Sequence, residues 1–128
     1  MEEKNWVYEE FDKLPTEKQT DCFKFVDGSK RWYKEGKLHR DNGPAIEYAN
    51  GDKRWYKEGK RHREDGPAVE YANGDKSWYK EDKLHREDGH AVEYANGDKY
   101  WYFEGKEYTE EEWKRLSYAR LNNLEIFL

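Results

Sequence analysis

The sequence predicts a mainly β fold, an array of antiparallel β-hairpins forming one elongated twisted sheet, and three observations carry that expectation. A 23-residue unit beginning with Trp-Tyr recurs at Trp32, Trp55 and Trp78, and its opening returns at Trp101. Trp32–Arg54 and Trp55–Ser77 are identical at 18 of 23 positions, and Trp55–Ser77 and Trp78–Tyr100 at 19 of 23. Each unit holds two β-favouring runs, such as Arg54–Lys57 and Ala68–Ala72, separated by dipeptides suited to tight turns. A crossover helix does not fit into such a unit, so successive hairpins should run on as an antiparallel meander with one buried side.

The elements follow in order. Residues 1–22 read as a degenerate N-terminal cap, because Phe23-Lys24-Phe25-Val26-Asp27-Gly28 occupies the place of Ile46-Glu47-Tyr48-Ala49-Asn50-Gly51 and implies a leading copy starting at Trp6. Its loop, Asp12–Thr20, contains Pro15-Thr16 and is expected to form a helical turn. Residues 23–106 are the repeats. Asn50-Gly51, Asn73-Gly74 and Asn96-Gly97 accept positive φ at both centres of a type I′ turn. A two-residue turn there pairs Ala72 with Asp75 and Val69 with Trp78, placing Val69, Tyr71 and Trp78 on one buried face and Tyr79 on the exposed one. The other turn, Glu58-Gly59, sets Trp55 opposite His62 and Tyr56 opposite Arg61; in the third copy it reads Glu81-Asp82. Residues 107–128 form a C-terminal cap. Thr109-Glu110-Glu111-Glu112 has the capping-box pattern before Trp113, Leu116, Leu121 and Leu124, and one helix over roughly 110–122 closes the array. The whole is one continuous domain, closed at both ends by atypical units as a stacked array requires.

Composition agrees with a thin, elongated fold. Only 34% of residues are hydrophobic and 41% are charged, yet the aromatic fraction of 17% gives each copy large rings to bury. The net charge of −5 comes from acids and bases mixed within each copy, which leaves no basic footprint for duplex nucleic acid and none for an anionic membrane. Cys22 is the only cysteine, and Met1-Glu2-Glu3-Lys4 resembles no leader or anchor, so the expected location is the cytoplasm.

The unit Trp55-Tyr56-Lys57-Glu58-Gly59-Lys60-Arg61-His62, followed by Gly66 and Tyr71-Ala72-Asn73-Gly74-Asp75, resembles the MORN (membrane occupation and recognition nexus) repeat over about residues 23–106. It departs from that pattern where Arg40, Arg63 and Arg86 stand after the histidine in place of Gly, and in its Asp-Gly-Pro-Ala wording. In those respects it is similar to the variant seen in proteins of phages, large viruses and some bacteria. The resemblance implies a β-hairpin array serving as an interaction scaffold, and it implies no catalytic residue.

The residues themselves suggest two kinds of site. The triplets His39-Arg40-Asp41, His62-Arg63-Glu64 and His85-Arg86-Glu87 are the most site-like feature. Equivalent positions lie two strands apart, about 10 Å, too far for His39, His62 and His85 to share one metal. They read as rings at the core edge, and Arg40, Arg63 and Arg86 as partners of the acids that follow them. An alternative makes these six residues an anion or nucleotide-like ligand site. Cys22 aligns with Ala45 and Ala68 and reads as a small packed strand residue rather than a nucleophile. Copies disagree most at Arg31, Arg54, Ser77 and Tyr100, on the face with Tyr33, Tyr56, Tyr79 and Tyr102. That Tyr column is either a contact surface or an ordinary solvated face covered by Tyr stems. The expectation is a chain that is not an enzyme, holds no cofactor or metal, and binds a host protein through Tyr33, Tyr56, Tyr79, Tyr102, Arg31, Arg54 and Tyr100. A phage or viral accessory protein that inhibits or adapts its target fits this reading, as does a homodimer. Sequestration of a small molecule is the alternative.

Overall fold

The computed structural model describes residues 4–124. In chain order the elements are β1 (Asn5–Trp6), α1 (Tyr8–Asp12), a 3₁₀ turn (Thr16–Lys18), β2 (Asp21–Phe25), β3 (Lys30–Lys34), β4 (Lys37–Leu38), β5 (Ile46–Glu47), β6 (Lys53–Arg54), β7 (Tyr56–Lys57), β8 (Lys60–Arg61), β9 (Val69–Glu70), β10 (Lys76–Ser77), β11 (Tyr79–Lys80), β12 (Lys83–Leu84), β13 (Val92–Glu93), β14 (Lys99–Phe103), β15 (Lys106–Tyr108) and α2 (Glu110–Leu121). The fold is mainly β. An 11-stranded sheet runs from β1 to β15, while β7–β8 and β11–β12 form separate two-stranded ladders. The pairing is antiparallel throughout except that β1 lies parallel to β2, so the segment at Trp6 is not the first arm of a hairpin. The helical turn after Pro15 is present, and α1 precedes it.

The turns exchange the conformations expected of them. Glu35, Glu58, Glu81 and Glu104 have φ near +48°, and Gly36, Gly59, Asp82 and Gly105 follow with positive φ, so the type I′ pattern belongs to these turns. The registers Tyr56↔Arg61 and Lys57↔Lys60 are those of a two-residue turn. At Asn73-Gly74 only the glycine has positive φ, +100°. Gly74 N–H donates to the Tyr71 carbonyl and Tyr71 N–H to the Asp75 carbonyl, which makes a three-residue loop with a bulge at the glycine. The Asn side chain explains the preference: Asn73 Oδ1 accepts from Asp75 N–H at 2.9 Å, and Asn50 and Asn96 do the same for Asp52 and Asp98.

One extra loop residue shifts the register by one and changes which residues share a face. Val69 lies opposite Ser77 and Arg54, not opposite Trp78. The expectation of one buried Trp face carrying Val69 and Tyr71 is therefore corrected: Ile46, Val69 and Val92 sit on the face of Arg31, Arg54, Ser77, Tyr100 and the Tyr column. Both faces hold buried residues. On the Tyr face Ile46, Val69 and Val92 are 3–8% exposed, and on the Trp face Ala45, Ala68 and Ala91 are fully buried. Trp55 N–H donates to the Ala68 carbonyl and Ala68 N–H to that of Ser77, so Ala68 lies between Trp55 and Trp78 across the strands. Rows of large, small, large side chains fill the pleat without overlap. Further along the same face lysines and glutamates alternate across strands, as in Lys53↔Glu70, Glu70↔Lys76 and Lys76↔Glu93.

The ends are closed on opposite faces. Phe11 of α1 packs on Phe23, Phe25 and Tyr33, with Leu14, Leu38 and Trp6 around them. At the far end α2 packs along β14 and β15. Thr109 Oγ1 accepts from Glu112 N–H and Glu112 returns the bond to Thr109 N–H, forming the expected capping box. This backbone bond holds the Glu112 carboxyl below its usual range. Trp113 and Ala119 are the buried residues of α2, whereas Leu121 and Leu124 are 80% and 55% exposed.

Candidate interaction surface

Each copy presents two surfaces, and the histidine triplets belong to the joint between copies. His39, His62 and His85 each engage both ring nitrogens. Nδ1 of His39 accepts from Glu58 N–H at 3.0 Å, that of His62 from Glu81 N–H at 3.2 Å, and that of His85 from Glu104 N–H at 2.8 Å. Because a backbone N–H can only donate, the proton sits on Nε2, which faces Asp41, Glu64 or Glu87. The His62 bond to Glu64 holds that carboxyl below its usual range. Each histidine thus ties the turn of the next copy to its own. In the leading copy Thr20 Oγ1 takes this place and accepts from Glu35 N–H.

The arginines complete the same joint. The guanidinium carbons of Arg40, Arg63 and Arg86 lie 3.8, 3.9 and 4.1 Å from the ring centroids of Trp32, Trp55 and Trp78. Their Nη1 atoms donate to the carbonyls of Pro44, Pro67 and His90 at 3.0–3.1 Å, and Nε of Arg63 and Arg86 to Asp65 and Asp88. In the first copy the partner is Asn42 at 3.3 Å. The clefts between copies, each of about 550 Å³, are therefore walled by guanidinium groups whose Nε and Nη1 donors are committed, and rimmed by Glu64, Asp65, Glu87 and Asp88. A Cβ at Gly66 would meet Arg63 Cζ at 2.8 Å, so a side chain there would have to displace the guanidinium from its place. Among the described residues no three His, Cys, Asp or Glu side chains come together as a metal site would need.

The two irregular positions of the third copy have separate explanations. Asp82 stands where other copies have Gly, with φ +69°. Its carboxylate accepts from Arg61 Nε at 2.7 Å and from Arg61 N–H at 3.1 Å, and that bond holds its pKa below the usual range. Arg61 replaces the Leu38 and Leu84 of other copies, so the two departures form one pair. His90 replaces Pro and lies 5.5 Å from Trp78 and 6.0 Å from Trp101, bonded to Glu93 at 3.1 Å. Burial, then the Arg86 charge, push its pKa below the ordinary value, against the opposing pull of Glu93. The unfolded chain therefore takes up this proton first. The His90 contribution to stability is complete above about pH 6.5 and is lost as pH falls toward the folded-state pKa. Thermal unfolding followed from pH 7.5 to 5.5 should drop further in the wild type than in His90→Pro, and parallel curves would assign the loss elsewhere.

The Tyr face separates the residues expected to touch a partner. Tyr33 is buried beneath Phe11 at 4.5 Å between ring centroids, so it belongs to the N-terminal cap and not to an open surface. Arg31 is covered as well, with its guanidinium over Tyr8 and Phe25 and an ion pair to Asp27 at 3.4 Å. Tyr56, Tyr79 and Tyr102 are half-buried with no helix among the described residues above them, and Tyr100 is exposed and edge-on to Tyr94 at 5.7 Å. Burial pushes the Tyr102 phenol up. Tyr71, which sequence reasoning placed on the buried face, and its equivalent Tyr94 are 40% and 43% exposed on this surface. The bulge at the Asn-Gly turns moved them, and the asparagine's competing side-chain bond was the available signal. Cys22 lies in β2 as expected but is exposed rather than packed.

Among the described residues no helix is long and apolar enough to cross a membrane. No protein-family model matches the chain, and the search of curated proteins also gives no match. The molecule is a repeated β-hairpin array in one long sheet with a C-terminal helix, an architecture compatible with a MORN-like repeat.

Proposed function

We propose that this protein is a non-catalytic, MORN-like protein-binding module whose contact surface is the part of the Tyr face that α1 leaves open. The carrying observation is the contrast between copies. Over the first copy a helix seats Phe11 on Tyr33, whereas among the described residues the equivalent positions Tyr56, Tyr79 and Tyr102 have no such cover. Half-buried Tyr side chains with polar tips give large contact area at small entropic cost. The joints between copies support the same reading from the other side, because both ring nitrogens of each histidine and the Nε and Nη1 donors of each arginine are already used within the array. Together with the resemblance to phage and viral repeat proteins, this favours an accessory protein that acts in the cytoplasm of its host by occupying a host protein.

The test is purification of the chain from its own host or infected cells, followed by native mass spectrometry. A stoichiometric protein partner should accompany the wild type and fall at least tenfold with Tyr56→Ser/Tyr79→Ser. Tyr94→Ser, at an exposed position, serves as a second variant if the double replacement unfolds. Undiminished partner binding by both variants would remove the Tyr face from the interaction.

A further inference from the structure

We infer that the open Tyr face takes a short acidic protein segment bearing an aromatic residue, with Arg54 as the anchor for its carboxylate. This rests on the reading of that face as a protein-binding surface. The chain carries its own example of such an occupant. In Tyr8-Glu9-Glu10-Phe11-Asp12, Phe11 packs 5.0 and 5.5 Å from the rings of Phe23 and Phe25, and Tyr8 packs 4.9 Å from Phe25. The Arg31 guanidinium lies 4.8 Å from the Tyr8 ring centroid. One copy further on the same seat is rebuilt, with Ile46 for Phe23, Tyr48 for Phe25, Arg54 for Arg31 and Tyr56 for Tyr33. Among the described residues no helix covers that second seat.

The two seats differ in charge. Arg31 is answered by Asp27 at 3.4 Å and by the Ser29 hydroxyl at 3.1 Å. The corresponding residues of the next copy are Asn50 and Asp52, and the Asp52 carboxylate is turned to Ala72 N–H at 2.7 Å. Arg54 therefore makes no ion pair among the described residues. Its Nε is buried without a hydrogen-bond partner, with the guanidinium 5.3 Å from the Tyr48 ring centroid. A half-buried guanidinium lacking a counter-charge gains most from an incoming carboxylate, which matches its fork of donors. The array also offers Arg54 only once on this face, because the next copies carry Ser77 and Tyr100 there. A second copy of the chain is the poorer occupant. The exposed apolar end of α2, with Tyr118, Leu121 and Leu124, is accompanied by Arg115 and Arg120 and by no acid within that stretch of described residues.

The probe is a synthetic peptide with the sequence of residues 6–14, Trp-Val-Tyr-Glu-Glu-Phe-Asp-Lys-Leu, titrated into the full chain and followed by fluorescence anisotropy. Saturable binding is expected, weakened by salt and lost when the peptide's Phe is replaced by Ala. Arg54→Ser, which installs the residue found at the equivalent position Ser77, should weaken it about tenfold or more. Ser77→Arg should add a second site. Absence of saturable binding at millimolar peptide, or binding indifferent to Arg54→Ser, overturns the inference. A homodimer in analytical ultracentrifugation that is dissociated by Tyr56→Ser/Tyr79→Ser also overturns it, since the occupant is then a second copy. If the peptide fails while a host partner is still lost on Tyr56→Ser/Tyr79→Ser, the protein-binding reading stands and only the acidic chemistry of the occupant falls.

Discussion

Phe11→Ala is expected to cost about 3–5 kcal/mol, the range for deleting a buried phenylalanine. Phe11 is 3% exposed and its ring touches three others, at 4.5 Å from Tyr33, 5.0 Å from Phe23 and 5.5 Å from Phe25. α1 has only five residues, too few to hold together by its own hydrogen bonds, so this contact is what keeps it in place. Gln19 depends on it too, because its Nε2 donates to the carbonyls of Phe11 and Leu14 at 2.9 and 3.1 Å. In a linear array each copy leans on its neighbours, so the loss should be felt first at this end. Hydrogen exchange should show Phe23, Phe25 and Tyr33 amides losing protection while those of β13 and β14 change little. A uniform loss across the sheet would mean that the array unfolds as a single unit, and an unchanged pattern would mean that α1 is dispensable.

The part of this architecture that depends on periodicity was legible in the residues. The repeat length located the copies, and the capping box located the start of α2 at Glu110. The two-residue turns at Glu58-Gly59 put Tyr56 opposite Arg61 as expected. What misled was the chemistry of Asn-Gly, a dipeptide with two competing solutions. Asn73 can adopt positive φ in a type I′ turn, or it can keep negative φ and accept from Asp75 N–H, and here the second wins. A single residue of register then exchanged the faces of Val69 and Tyr71. The caps were legible only in part. Trp6 suggested another hairpin arm, but its strand runs parallel to β2, and the covering of Tyr33 by Phe11 is a contact between segments with no periodic signature. The sequence placed the histidines beside Trp, as found. That Nδ1 reaches the backbone of the following copy is a relation 19 residues long, visible only once the copies are stacked.

His62→Ala should destabilise the array by about 0.5–1.5 kcal/mol through the lost hydrogen bond to the exposed Glu81 turn, with lost packing added to it. The side chain is 10% exposed and makes two bonds of different kinds. Nε2 faces Glu64 at 2.5 Å, a carboxylate open enough to be rehydrated when the ring is removed. Nδ1 accepts from Glu81 N–H at 3.2 Å, a donor inside a turn whose φ of +47° allows little rearrangement. The turn also carries Asp82 at positive φ without the freedom of glycine, so it is the joint with the least slack. The Glu81 amide should therefore lose most of its protection in His62→Ala, whereas the Glu58 amide, held by His39, should keep it. Glu64→Gln distinguishes the two bonds: it removes the carboxylate but leaves Nδ1 to accept, and it should cost far less than His62→Ala. If both variants cost the same, the joint owes its strength to the histidine–carboxylate contact, and the bond to the next copy's backbone contributes little. If only His62→Ala is costly, the copies are fastened through Nδ1, and the same ordering should appear at His39 and His85.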